Sequence, residues 1–293
     1  MNINSNRLIL LDVGGTFIKA ALGEPYKGAA EGTFTSTPIS SDGSAEEIVN
    51  AFREAVGGKL RQAEEKGCTI QAICVAIPGP FDYNQGIFLM KHKFASVYGV
   101  TFREILGDVI GEDMRLAFVH DVNGALLGAL TSIPSLKEGT VALSTLGTGL
   151  GFSYAVDGEI KESPTGSPAR SLWNQPYKEG ILEDYVSRRG ILKTYSSLGG
   201  VLGEGEDVKE IADRARAGEQ TALETFRATG MHYAEGARSL INELGITKVL
   251  FAGQIAKSLD LMQEAIESGL ENSVQISVLD DIQGTVLVGA ASL

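Results

Sequence analysis

Cysteine is scarce in this chain. Two occur in 293 residues, Cys68 and Cys74, too few for a disulfide framework and in no C-x-x-C or Cys/His cluster. Cys74 lies in the apolar run Ile73-Cys74-Val75-Ala76-Ile77 and reads as a small core hydrophobe. Long apolar runs are missing too. None approaches the ~18–20 residues of a membrane span, and the polar start MNINSNR has no signal-peptide core, so a soluble, cytoplasmic chain with no membrane partner is expected. Basic blocks are also absent: Lys plus Arg number 25 against 37 Asp plus Glu, a net charge of −12. That acidity makes a nucleic-acid partner a poor expectation. It does not exclude an anionic ligand, because backbone N–H groups and a metal can hold a nucleotide. With 43% hydrophobic and 21% charged residues, disorder is excluded and a substantial core is available.

Glycine is abundant. The 36 glycines are about 12% of the chain against a usual ~7%, and they gather at strand ends, where backbone must approach backbone or ligand. Residues 8–23 read as strand, glycine turn, strand. Ser44 with Glu47 forms a capping-box pattern opening a helix whose apolar face is Ile48, Val49, Phe52, Val56 and Leu60. A buried strand at 70–77 stops at Pro78-Gly79-Pro80, and another at 115–119 runs into His120-Asp121, with a small-residue helix from about Asn123. The opening pattern then recurs at 140–156, some 130 residues later: strand, Leu146-Gly147-Thr148-Gly149-Leu150-Gly151, strand. Helices follow near 182–198, 206–245 (with a break near Gly218) and 256–269, with strands at 248–252 and 274–279 and a tail helix from about Thr285. Strands alternating with helices predict an α/β protein. The recurring hairpin predicts a duplicated unit, in two lobes around a cleft.

Asp12-Val13-Gly14-Gly15-Thr16 joins an acid at a strand end to two glycines and a hydroxyl. Glycines let several N–H groups face one anion. The acid suits Mg²⁺, directly or through water, since Mg²⁺ favours one or two carboxylates plus phosphate oxygens. The alternative is an ordinary hairpin turn with a solvated Asp. The 146–151 turn repeats the device. It leads into a strand, so it is no dinucleotide fingerprint, and no GxxxxGK[ST] occurs. Asp121 ends a buried strand and is rigidly aimed; a helix cap near Asn123 is the alternative reading.

These two turns, with Asp121-Val122-Asn123-Gly124 between them, resemble the actin/sugar-kinase/Hsp70 superfamily and specifically the ROK sugar kinases. The resemblance runs along essentially the whole chain. Residues 11–22 and 146–151 are similar to the two phosphate motifs, and Ile77-Pro78-Gly79-Pro80 to the glycine-proline turn. Gly180-Ile181-Leu182-Glu183-Asp184-Tyr185-Val186-Ser187 resembles the G-C-L-E-A-Y-A-S stretch, and Val249-Leu250-Phe251-Ala252-Gly253-Gln254 the adenosine-side motif. The resemblance implies a duplicated ribonuclease-H-like, actin-type ATPase fold. Its small lobe would span 1–118 plus a C-terminal helix at 282–293, and its large lobe 119–281. It implies a glucokinase-like, ATP-dependent phosphotransferase acting on a hexose or hexose derivative, with Mg·ATP at Asp12, Gly14, Gly15, Thr16, Gly147, Thr148, Gly149 and Gly253. Asp121 would be the base. Pro78, Gly79, His120 and Glu183 would join it at the sugar. A homodimer is expected by the same resemblance.

The chain departs from the family pattern. Residues 162–179, ESPTGSPARSLWNQPYKE, contain no Cys and no His, so the family's E-x-G-H sugar motif and its C-x-C-G-x-x-G-C zinc loop are both missing. No structural zinc is expected, and glucose specificity is in doubt. His120 stands where the family has Asn, to contact the substrate or tune Asp121. Trp173, Asn174 and Tyr177 are candidates to rebuild a sugar-facing wall, against ordinary packing. Lys91-His92-Lys93 reads first as a solvated basic patch, with a cleft-mouth role as the alternative. Alternative functions are a catalytically silent, sugar-sensing regulatory protein and a kinase of an N-acetylated amino sugar. A repressor is disfavoured, because eleven residues before Asp12 leave no room for a DNA-binding extension.

Overall fold

The computed structural model describes residues 6–270 and 274–293, so the first five residues of the expected small lobe and 271–273 of the large one lie outside the described residues. The chain divides into two compact units. One holds the described residues up to Ser135 with Glu162–Ala169 and Gln283–Leu293; the other holds Leu136–Lys161 and the described residues of Arg170–Ile282. Asp121 and the helix it opens therefore stay with the first sheet, whereas the resemblance implies a boundary at 118/119.

In the first unit β1 (Asn6–Val13) and β2 (Phe17–Glu24) form the expected antiparallel hairpin, with β3 (Gly28–Ala29) and β4 (Thr35–Pro38) on the outer side of β2. Helix α1 (Ala45–Glu65) opens on a complete capping box: Glu47 N–H donates to Ser44 Oγ and Ser44 N–H to Glu47 Oε2. β5 (Thr69–Ile77) lies parallel beside β1. A short ribbon, β6 (Phe81–Asp82) and β7 (Ile87–Phe88), and α2 (Phe102–Leu106) precede β8 (Arg115–His120), which is parallel to β5 and runs into α3 (Asp121–Ser132). The sheet order is β3-β2-β1-β5-β8. β1 and β5 are central, which explains their near-continuous apolar sequence.

The second unit repeats the plan. β9 (Thr140–Leu146) and β10 (Leu150–Val156) are antiparallel, β11 (Glu159–Ile160) extends β10, and a small ribbon, β12 (Pro176–Tyr177) with β13 (Gly180–Ile181), follows. The expected 182–198 helix is two pieces, α4 (Glu183–Val186) and α5 (Arg188–Ser197), parted by an extended Ser187. α6 (Val208–Arg216) and α7 (Gln220–Leu244) part at Gly218 as expected. β14 (Lys248–Ala252) lies parallel to β9; the expected 256–269 helix is a 3₁₀ stretch Ile255–Leu261 followed by α8 (Gln263–Gly269). β15 (Gln275–Val278) then pairs parallel with β14. The order β11-β10-β9-β14-β15 matches the first sheet strand for strand, in direction as well as order. The duplication is thus real, and the fold is mixed α/β of the actin-like ATPase type.

The last helix, α9 (Ile282–Ala290), belongs to the first unit and packs on α3 at backbone contact. A Cβ at Gly128 would lie 1.8 Å from the Thr285 carbonyl oxygen, and one at Gly289 would lie 1.9 Å from that of Gly124. Only glycine allows this approach. It fixes the helix whose first residue is Asp121.

Candidate functional site

In the first unit the site is built at the junction of β8 and α3. Asp121 is the first residue of α3, with the extended His120 as its cap residue. His120 Nδ1 lies 2.8 Å from Asp121 Oδ1 and 3.2 Å from Val122 N. One ring nitrogen cannot donate to the first and accept from the second. The shorter contact, Nδ1–H to carboxylate, governs, because Val122 N–H already donates to Asp121 Oδ1 at 2.7 Å. Asp121 Oδ2 accepts no hydrogen bond from the described residues. Its side chain is 38% exposed, so one carboxylate oxygen is open to a ligand. Desolvation pushes this carboxyl up, but the His120 charge and hydrogen bond, the Val122 N–H and the Lys93 ammonium outweigh it and hold it below the usual aspartate range.

The walls around Asp121 come from three segments. A Cβ at Gly79, in the turn after β5, would lie 3.2 Å from Tyr83 Oη and 3.4 Å from His120 Cδ2, so Gly79 packs against the residue before Asp121. Tyr83 donates its hydroxyl to the Ile77 carbonyl at 3.0 Å, and its ring lies 5.7 Å from that of His120. The third segment is Glu162–Ala169, which docks on the first unit: Tyr83 N–H donates to Thr165 O and Asn84 Nδ2 to Pro164 O. This brings Glu162 Oε1 to 2.9 Å from Asn123 Nδ2, two residues on from Asp121. Burial pushes the Glu162 carboxyl up against the opposing pull of Asn123 and His120. Nothing in the sequence singles out Glu162 beyond an acid at the head of a segment without the family's motif.

The first glycine turn follows β1, which is separated from β8 by β5 in the same sheet. Gly14 N–H closes the turn on Phe17 O, whereas the N–H groups of Gly15 and Thr16 are donated to no acceptor among the described residues. Asp12 is partly buried and paired with Lys19, its cross-strand neighbour, at 3.1 Å. Burial pushes the Asp12 carboxyl up, Lys19 pulls it down, and the negative charge of Asp121 raises it again. The two acids therefore lie within electrostatic reach of each other. Among the described residues no group of three or more His, Cys, Asp or Glu stands together as a metal site. One acid beside free N–H donors fits Mg²⁺, which keeps its waters and takes phosphate oxygens rather than an all-protein cage.

In the second unit, Gly147 N–H is spent on Gly149 O inside the turn, and Thr148 is exposed at its tip. Glu183 lies on this turn: its Oε2 accepts from Leu150 N–H at 2.8 Å, and its Oε1 from Arg189 at 2.9 Å. Gly253, at φ 97°, is pressed against the end of β9; a Cβ there would lie 2.4 Å from Leu146 O. Gly253 and the second turn are thus one local structure. Tyr177 does not stand free as a wall: its hydroxyl is bonded to His232 and Glu235 on α7, while Trp173 is half exposed. No helix among the described residues is long and apolar enough to cross a membrane.

Comparison with known proteins agrees with this architecture. A solved structure of a putative sugar kinase from Cytophaga hutchinsonii has a TM-score of 0.81 at 19% identity, covering 98% of each chain. A ROK family glucokinase from Streptomyces griseus, solved with glucose and AMPPNP, has a TM-score of 0.73 at 21% identity, again over 98% of both chains. An uncharacterized protein of Clostridium perfringens is 23% identical over 284 residues, 93% of this chain and 89% of that protein. The sequence pattern of the ROK family matches residues 8–279, and the chain belongs to the ROK family, in a form without that family's zinc loop.

Proposed function

We propose that the protein is an ATP-dependent kinase of a hydroxyl on a hexose or hexose derivative. The observation that carries this reading is the open Oδ2 of Asp121 at a strand–helix junction, with Glu162 bonded to Asn123 two residues on and Asp12 of the first glycine turn within electrostatic reach. The sugar hydroxyl attacks the γ-phosphorus of ATP, the bond to the ADP oxygen breaks, and the hydroxyl proton passes to Asp121 Oδ2. A carboxylate held ionised by His120 is a weak base. It suffices, because phosphoryl transfer asks mainly for positioning and charge neutralisation, and the proton leaves as the new bond forms. Gly15 and Thr16 N–H groups bind phosphate oxygens, and Gly147, Thr148, Gly149 and Gly253 are assigned to ATP. Asp12 would hold Mg²⁺, directly or through water; the ion supplies charge neutralisation on the phosphates.

At the sugar, Glu162 stands in for the missing family motif, accepting hydrogen bonds from hydroxyls beside Asp121, and Pro78 and Gly79 are assigned to the same subsite. Glu183 is assigned to a sugar hydroxyl through the lone pairs that Leu150 and Arg189 leave free. The related glucokinase solved with glucose and AMPPNP supports sugar and nucleotide as the substrate pair. A coupled ADP-release screen over hexoses, amino sugars, N-acetyl amino sugars and glycosides tests the proposal. Sugar-dependent ADP release is expected for at least one class, and the responding class also decides between a hexose and an N-acetylated amino sugar. Sugar binding without turnover across the panel would overturn it in favour of a sensor.

A further inference from the structure

Of the basic trio 91–93, the side chains part company. Lys91 turns onto the Tyr98 ring, its Nζ 5.4 Å from the centroid. Lys93 instead extends along the first glycine turn: its Cε lies 4.0 Å from where a Gly15 Cβ would be. The backbone holds it there. Gly15 O accepts from Ser41 N–H at 2.9 Å, and Ser41 O accepts from Phe94 N–H at 2.6 Å, so the Lys93–Phe94 step is tied to the turn through one residue. Phe94 is fully buried in a left-handed conformation (φ 52°), its ring 6.2 Å from Phe52 and 5.8 Å from Phe88. An aromatic anchor in the core thus presents an exposed lysine to the phosphate turn.

The charges around it are uneven. Asp12 and Asp121 bring two carboxylates to this region, and Lys19 is spent on Asp12. Lys93 forms no ion pair among the described residues, although its charge reaches Asp121. A polyphosphate arriving at Gly15 and Thr16 would meet two negative groups and this one uncommitted ammonium. We infer that Lys93 is a phosphoryl-binding cation, contacting the terminal phosphate of ATP at the first glycine turn and following it to the acceptor oxygen. This rests on the kinase reading and adds to it a residue that touches the transferred group.

The test compares wild type with Lys93→Met, Lys93→Arg and Lys91→Met, with melting temperatures recorded for each. Binding of Mg·ATP and of AMP is measured by calorimetry, and kcat by ADP release. Charge-assisted hydrogen bonds of this kind predict a loss of roughly 10- to 100-fold in ATP affinity and in kcat for Lys93→Met. AMP binding should be unchanged, since AMP lacks the terminal phosphate. Lys93→Arg should recover most of the loss, and Lys91→Met should match wild type. If wild type binds and turns over ATP but Lys93→Met does so within about twofold, or loses AMP equally, the inference is overturned and the kinase reading stands. If wild type binds no ATP, the kinase reading falls, and this inference with it.

Discussion

His120 Nδ1 lies 2.8 Å from Asp121 Oδ1, and Val122 N–H closes on that same oxygen at 2.7 Å, leaving Oδ2 as the working oxygen. His120 therefore acts on the base rather than beside it. Its charge and hydrogen bond favour ionised Asp121, so removing them must raise the carboxyl's pKa. His120→Ala should move the acid limb of the kcat profile to higher pH, with a larger loss near pH 5 than at pH 8. An unmoved limb in a pH–rate profile would remove His120 from this role.

Asp12 carries the opposite sign. Its carboxyl is raised above the ordinary value by burial, so the folded state disfavours the ionised form that the unfolded chain adopts freely. The ionised group costs stability at neutral pH, and the cost fades as pH falls through the folded pKa. Asp12→Asn should thus melt no lower than wild type at pH 7, while apparent Mg²⁺ affinity drops about 10- to 100-fold if the ion is held through water. A clear fall in melting temperature with unchanged magnesium dependence would contradict both halves.

Glycine at 128 allows α3 to touch α9 at backbone distance. Gly128→Ala places a methyl where the Thr285 carbonyl stands, and overpacking of this kind costs about 1–3 kcal/mol. Melting should fall by several degrees. Turnover should fall as well, since the displaced helix carries Asp121. Unchanged melting in scanning calorimetry would mean that the two helices part at no cost.

Glu162→Gln keeps the shape and the Asn123 contact on its amide oxygen but loses the charge that a hydroxyl would seek. KM for the sugar should rise about tenfold or more, in the range of one charge-assisted hydrogen bond, with Mg·ATP affinity unchanged. Steady-state kinetics with both substrates varied separates this from a general structural defect, which would move both.

Much of this arrangement was legible in the residues themselves. The hairpins, the Ser44/Glu47 capping box, the duplicated glycine turns and Asp121 at a strand end are local patterns, and each formed where its pattern stood, although the strand before Asp121, expected to be buried, is an edge strand with only Val119 in the core. Long-range features were not. The apolar pattern of α1 puts Leu60 on its buried face, yet Lys59 is the buried one of the two, its ammonium bonded to the Thr33 carbonyl and to Gln62 Oε1; a lysine that finds two acceptors in the fold defeats an apolar pattern. Glu162 gained meaning only because its loop folds back onto Tyr83 and Asn123. The Tyr177 hydroxyl found its partners, His232 and Glu235, on the distant helix α7. Cys74 behaved as composition suggested: it is buried, and burial pushes its thiol up to about 11.

The most direct test of the account is the turnover of Asp121→Asn with the best sugar of the screen, measured beside sugar affinity and melting temperature. The amide keeps the shape and can still hydrogen-bond a hydroxyl, but it cannot take the proton. A loss of about 10²–10⁴ in kcat is predicted for a lost general base, with sugar affinity and melting temperature close to wild type. Were Asp121 only the first residue of a helix, Asn would serve there equally well. Turnover within about tenfold of wild type, below the general-base range, would contradict the account.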